Sequence, residues 1–324
     1  MNGEPPFNFV DAPLGRFYPP GQITRHVKER VTEATPDELV LDPQIDATRQ
    51  RRSNAVSAPA AFAGYRALAF ERRERVLTVR IDQPRTRNAV DATLHHELGR
   101  VFFEVNDDPD SDVVVLTGTG GRFCAGGEYG WFQEMIDRPD MWIRQVVPTA
   151  KRIVSGLLEL EKPILCKLNG AAAGLGASIA LLCDIVIASE TAVIGDPHVK
   201  AGLVAGDGGA IIWPQLVGIN RAKEMLLTGA MLTAERAAAW GLVNHVVPAA
   251  DLDARVDAMA DELADGATQA IRWTKTVMNL ELRRIHAALT DAALGYETIT
   301  NASADHQEAV RALKEKRPPV FTGR

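Results

Sequence analysis

Two glycine-rich runs and two titratable side chains are the residues of this sequence best suited to chemistry. The runs are Phe123–Glu128 (FCAGGE) and Asn169–Ser178 (NGAAAGLGAS). Glycine lets a backbone N–H approach a ligand with no side chain in the way. A helix opening at the second run would add the partial positive charge of its first turn. Two such loops meeting at one point could hold a carbonyl oxygen as it becomes an enolate or a tetrahedral oxyanion. Each run alone also reads as a tight turn or a close-packing contact. Downstream, His198 and Asp207 stand nine positions apart. A neutral imidazole near its ordinary pKa of ~6.5 can take a proton from water. A carboxylate on its other ring nitrogen would fix the tautomer and stabilise the imidazolium. The plainer readings are a hydrogen-bonded core histidine and, for Asp207, the N-cap of a helix beginning Gly208-Gly209-Ala210.

These residues need a scaffold, and the apolar pattern supplies one from Tyr65 onward. Val76–Ile81 alternates as a strand, and Pro84 breaks the pairing in the turn Asp82–Arg87. Asp91 can cap a helix in which Leu94, Leu98, Phe102 and Val105 recur every three or four residues. Val113–Leu116, Ile164–Leu168 and Ile185–Ala188 read as buried strands. Helices are expected over Met141–Leu160, Ser178–Cys183, a stretch after Gly206, Thr233–Trp240, Ala250–Leu263 and Ala267–Leu280. Strands and helices alternate, with glycines where strands end. The fold class is therefore α/β, layered, with functional loops at strand ends. Residues 1–64 differ: they hold two Pro-Pro pairs and no sustained apolar period. They read as an irregular or partly disordered N-terminal extension.

Composition narrows the function classes. A chain of 324 residues, 46% of them hydrophobic, can bury a full core. Its net charge of −6 argues against non-specific nucleic-acid binding, which needs a cationic surface. No run approaches the ~20 apolar residues of a membrane span, and no basic-then-apolar leader opens the chain. A cytoplasmic location is expected. Cys124, Cys166 and Cys183 have no metal-ligand spacing and read as buried thiols, so no metal is expected. The glycines from Gly170 to Gly176 also resemble the phosphate loop of short-chain dehydrogenases. That family needs a Tyr-x-x-x-Lys, and none of Tyr18, Tyr65, Tyr129 or Tyr296 has a lysine four positions later.

From about Tyr65 to Arg324 the chain resembles the enoyl-CoA hydratase/isomerase (crotonase) superfamily. The matching features come in order: Asp82–Ala89, Phe123–Glu128, Asn169–Asp184, Gly195-Asp196-Pro197-His198, Leu226–Gly229, Gly241–Asn244 and Leu313–Arg324. The resemblance implies a spiral of β-β-α turns over residues 65–265, a C-terminal helical region over 266–324, and trimers or paired trimers. It implies an acyl-CoA thioester as substrate, with coenzyme A part of that substrate and no separate cofactor. The family's oxyanion donors fall on the N–H groups of Gly127 and Leu175. Arg85, Arg87 and Ala125 become the candidates for holding coenzyme A.

The departures carry as much information. Where typical hydratases of the family have two glutamates, this chain has Ser178 and His198. The segment Gly202–Gly208, followed by Trp213-Pro214, resembles that of oxocamphor hydrolase, a family member that cleaves a C–C bond in a cyclic β-diketone. Its active-site residues fall on His198, Asp207, His95 and Glu297, while Val90 and Gly176 stand where it has a tryptophan and a further histidine. His95 or the adjacent His96 should face solvent, and Glu297 also reads as a surface residue of a C-terminal helix. Glu128 could point at substrate or be solvated. Three expectations follow: a water-activating enzyme on an acyl-CoA (hydratase-like or a β-keto C–C hydrolase), a hydrolase of a free cyclic β-diketone, or a non-catalytic acyl-CoA-binding scaffold. The resemblance implies an acyl pocket shaped by a loop around Tyr129–Met141, with Trp131, Phe132, Met135 and Trp142 nearby; their aromatic content fits a bulky or cyclic acyl group or plain apolar packing.

Overall fold

The computed structural model describes residues 56–324, so the predicted N-terminal extension up to residue 55 lies outside the described residues. Residues 56–64 are part of the folded structure, although only Phe62 among them is buried. Strand β1 (Val56–Ser57) pairs antiparallel with β2 (Leu68–Arg73), and buried Phe62 stacks on Phe70 at 4.4 Å. Nine residues are too few to show a period, which is why the pattern begins only at Tyr65.

The alternating β3 (Val76–Ile81) closes a hairpin with β2 and starts a parallel array. The array runs β3, β4 (Val113–Gly118), β5 (Ile164–Leu168), β7 (Ile185–Ser189) and β10 (His245–Val247). Parallel neighbours require crossovers, and helices supply them. Helix α1 (Ala92–Asp107) joins β3 to β4. Next come α2 (Tyr129–Asp137), a π-helical turn (Trp142–Val146) and α3 (Val147–Glu159), which lead to β5. A second, three-stranded sheet of β6 (Ala172–Ala173), β8 (Val193–Gly195) and β9 (Met231–Thr233) stands beside the first in the chain's path.

Both faces of the large sheet are covered, so β4 has no polar face. Val114 and Leu116 enter the main core with Leu94 and Leu98 of α1. Val113 and Val115 meet Val256 and Ala260 of α7 (Leu252–Ala264), after α5 (Gly209–Thr228) and α6 (Ala234–Ala239). This two-sided burial explains the uninterrupted apolar run in the sequence. Asp91 does cap α1, accepting from Leu94 N at 2.8 Å, a contact worth about 1 kcal/mol.

Two helices depart from their expected limits. Helix α4 (Leu175–Leu181) starts inside the glycine run rather than at Ser178. The C-terminal α8 (Thr268–Asn301) continues far beyond Leu280 before α9 (Ala304–Glu315). Its apolar residues Trp273, Val277, Met278 and Leu280 are exposed, whereas polar His286, Thr290 and Glu297 are buried. That inversion hides the helix from a reading based on an apolar inner face.

Candidate active site

The two glycine runs are laced together. Cys124 N donates to Ala171 O and Ala173 N donates to Cys124 O, each at 3.0 Å. Asn88 fastens the preceding turn to the first run, donating through Nδ2 to Thr119 O and Arg122 O. Val90 N donates to Gly126 O and Glu128 N donates to Val90 O, a pattern that skips the N–H of Gly127. Leu175 is the first residue of α4, so its N–H has no helical acceptor either. Among the described residues neither group finds a hydrogen-bond partner, and both line one cavity of about 150 Å³. A Cβ at Gly127 would collide with the Phe132 ring. Gly174 takes φ 55°, and a Cβ there would sit 3.2 Å from His198 Cε1. The backbone at Gly174 therefore favours glycine, whereas a side chain at Gly127 would have to displace the Phe132 ring. Glu128 does not point at a ligand: its side chain accepts from Trp131 N at 2.9 Å and caps α2.

The chain enters the site again after β8. Asp196 Oδ1 hydrogen-bonds His198 Nδ1, and the backbone N–H of His198 reaches the same oxygen at 3.3 Å. Leu203 N then donates to His198 O at 2.9 Å, curling the loop so that Asp207 returns to the ring. Asp207 Oδ2 lies 3.3 Å from His198 Nε2. Sequence led to the expectation of one carboxylate on the ring, and the structure places two there. The carboxylate on the ring nitrogen away from Asp207 is Asp196, and Asp207 faces the other nitrogen inside the cavity. Nor does Asp207 cap α5, whose N-cap is Gly208 with no side-chain bond.

Helix α8 adds a third acid. Glu297 is 3% exposed and lines the same cavity, so it is not a surface residue. Ligand atoms of His198, Asp207 and Glu297 all lie within 4.8 Å of one another. Asp207 Oδ1 and Glu297 Oε2 are buried without a hydrogen-bond partner. The spacing would also suit a divalent cation, but each ring nitrogen of His198 already faces a carboxylate, which suits protons better.

Burial and neighbouring charge set the proton inventory. Burial alone would lower the His198 pKa, but the Asp196 and Asp207 carboxylates outweigh it and hold it well above the usual imidazole range. The two carboxylates thus favour the imidazolium, where sequence led to the expectation of a neutral imidazole. Burial raises the Glu297 carboxyl well above the ordinary glutamate range, and the nearby Asp207 charge raises it further. This direction favours the neutral, hydrogen-bond-donating form of Glu297. His95, from α1, is the opposite case: burial, with a smaller push from His96, lowers it to about 3. It is His95 that lines the cavity, 5.0 Å from the Trp131 ring, while His96 is exposed.

The rest of the wall is apolar. Val90, Ala125, Trp131, Phe132, Met135 and Trp142 complete it, as expected for the aromatic segment. Trp142 belongs to the π-helical turn, a distortion that often marks functional sites. Gly176 has no room for the alternative histidine, because a Cβ there would lie 2.6 Å from Cys124 Cβ. Arg85 and Arg87 are not in the cavity; they stand exposed on the turn before α1, without a carboxylate partner among the described residues. The three cysteines are buried thiols. Sequence reasoning missed Asp196, which it noted only within a motif, and His306 of α9. The His306 Nδ1–H donates to Ala201 O at 2.7 Å, fixing the turn that begins at His198.

Known proteins match this chain over most of its length. The enoyl-CoA hydratase/isomerase family model matches residues 71–324. A probable enoyl-CoA hydratase from Rhodobacter capsulatus is 33% identical over 261 residues, covering 80% of this chain and 99% of its own. A crystal structure of an enoyl-CoA hydratase/isomerase from Mycobacterium paratuberculosis superimposes with a TM-score of 0.74 at 34% identity, covering 76% and 99% of the two chains. A beta-diketone hydrolase from Anabaena sp. PCC 7120, bound to (S)-3-oxocyclohexyl acetic acid, gives 0.71 at 32% identity, covering 75% and 97%. The α/β architecture is that of these relatives, and the chain belongs to the enoyl-CoA hydratase/isomerase family.

Proposed function

We propose that this enzyme adds water to an acyl-CoA thioester, with the N–H groups of Gly127 and Leu175 holding the thioester oxygen. The observation that carries the reading is the His198–Asp207 pair at 3.3 Å, in the cavity those two N–H groups line. Asp207 accepts a proton from water as its oxygen bonds to the β-carbon of an enoyl group. The π electrons move onto the thioester oxygen, where the two N–H donors stabilise the enolate. His198 then gives its Nε2 proton to the α-carbon, and the proton on Asp207 returns to His198. The roles expected from sequence are thereby exchanged: histidine is the donor and aspartate the acceptor.

A second reading is favoured by the neutral Glu297. A β-keto oxygen needs a donor as water attacks, and Glu297 offers one in the same cavity. Water adds to the keto carbon, Asp207 takes its proton, and the C–C bond breaks with its electrons entering the oxyanion site. His198 protonates the released α-carbon, giving a carboxylic acid and a shortened thioester. A free cyclic β-diketone would follow the same course without coenzyme A.

One assay separates these. Enoyl-CoA, β-ketoacyl-CoA and free β-diketone panels are tested with wild type, His198→Ala and Asp207→Asn. Each variant should lose about 10²-fold or more in kcat with KM little changed. Turnover near wild type in both would sink the pair. Coenzyme A binding without turnover on any panel would favour a scaffold. The apolar residues exposed along α8 support self-association as a homotrimer or paired trimers, and light scattering tests that.

A further inference from the structure

We propose that Asp196 is a positioning residue that fixes the His198 ring and keeps it doubly protonated, making His198 the proton donor of the site. The kinetic part of this inference rests on the reaction proposed above; the structural part does not. Asp196 is fully buried, although a carboxylate without compensation is costly to bury. Its Oδ1 takes both the ring Nδ1–H and the backbone N–H of His198, so one oxygen fixes ring and main chain together. Its Oδ2 has no hydrogen-bond partner and rests against Gly209, where any Cβ would collide with it. Gly209 opens α5, whose first-turn N–H groups favour negative charge. The carboxylate is thus held for its effect on the ring, not for a contact with substrate: it does not line the cavity.

The geometry has a functional corollary. A carboxylate on Nδ1 alone would leave Nε2 free to act as a base. Here Asp207 faces Nε2, Glu297 approaches from α8, and the glycine run contributes Gly174 beside Cε1 but no titratable group. His95 lines the same cavity from α1 as a neutral ring. Two carboxylates and one neutral acid around a single ring leave a proton on each nitrogen. Asp196 supplies the half of that charge which substrate and water never touch.

The test is an Asp196→Asn substitution, which keeps the shape and an acceptor oxygen for Nδ1–H but removes the charge. In wild type, ¹⁵N-resolved titration of His198 should show both nitrogens protonated above pH 7. An ordinary titration near ~6.5 in wild type would overturn the proposal, whether or not the variant folds. In Asp196→Asn the same titration should move to lower pH. The basic limb of kcat should move with it, lowering kcat at pH 8 by about tenfold or more, with KM within about twofold. A variant that folds and leaves the His198 titration unmoved overturns the proposal. So does a titration that moves while the kinetic limb stays. Should wild type turn over none of the three substrate panels, the reaction reading fails, and the titration alone decides the role of Asp196.

Discussion

The indole N–H of Trp142 donates to Thr298 Oγ1 at 2.9 Å, tying the π-helical turn of the cavity wall to the neighbour of Glu297. The bond spans α3's approach and α8, two elements far apart in sequence. Trp142→Phe keeps the aromatic surface and deletes only this donor. It should cost about 0.5–1.5 kcal/mol of stability, read by denaturant unfolding. Its kcat should fall by a few-fold as Glu297 loses its placement. A stable variant with unaltered kcat would show that the tie is irrelevant to the site.

Gly127→Ala tests the proposed oxyanion donors directly. The new methyl group would meet the Phe132 ring, forcing the loop or the ring to move and the N–H with it. Loss of one such donor costs about 10²–10³-fold in kcat in known cases. Steady-state kinetics on whichever substrate the panel identifies should show that loss. A change confined to KM would mean that Gly127 binds without stabilising the transition state.

Glu297 gives a pH-dependent prediction. Its folded-state pKa lies above its unfolded value, burial being the largest cause and Asp207 the next. Stability linked to it is present below the unfolded value near ~4.3 and is lost as pH rises through the folded one. Glu297→Gln cannot ionise and escapes that loss. The difference in unfolding free energy between variant and wild type should therefore shift in the variant's favour as pH is raised from 4 to 8. A pH-independent difference would place an ionised carboxylate at 297.

Arg85 and Arg87 should act on binding alone. They are exposed, without carboxylate partners among the described residues, and outside the cavity. The double substitution to alanine should raise KM for an acyl-CoA by roughly 3–30-fold, most at low salt. A truncated thioester lacking the nucleotide should be unaffected. Equal effects on both substrates would remove the arginines from coenzyme A recognition.

How much of this was legible depended on where the signal lay. Strand β3 and the Asp91 cap could be read to the residue, because alternation and capping are local. The meeting of His198, Asp207, His95 and Glu297 in one cavity came from the resemblance, since no spacing along the chain implies it. Asp196 stayed hidden because a residue two positions from a histidine reads as part of a turn, not as its partner. The proposed direction of proton transfer was also out of reach: it rests on two carboxylates closing on one ring, and only folding brings them there. Helix α8 was cut short for a related reason, its buried face being polar.

The placement of Glu297 and His306 has a consequence for biosynthesis. Strands β2 to β5 and the glycine runs leave the ribosome well before α8 and α9, and domains tend to fold from the N-terminus as they emerge. A nascent chain can therefore bring its two glycine runs together while still lacking Glu297 and the histidine that steadies Ala201. A chain terminated before α8 would lack the Glu297 part of the cavity wall and the His306 tie on the turn that begins at His198.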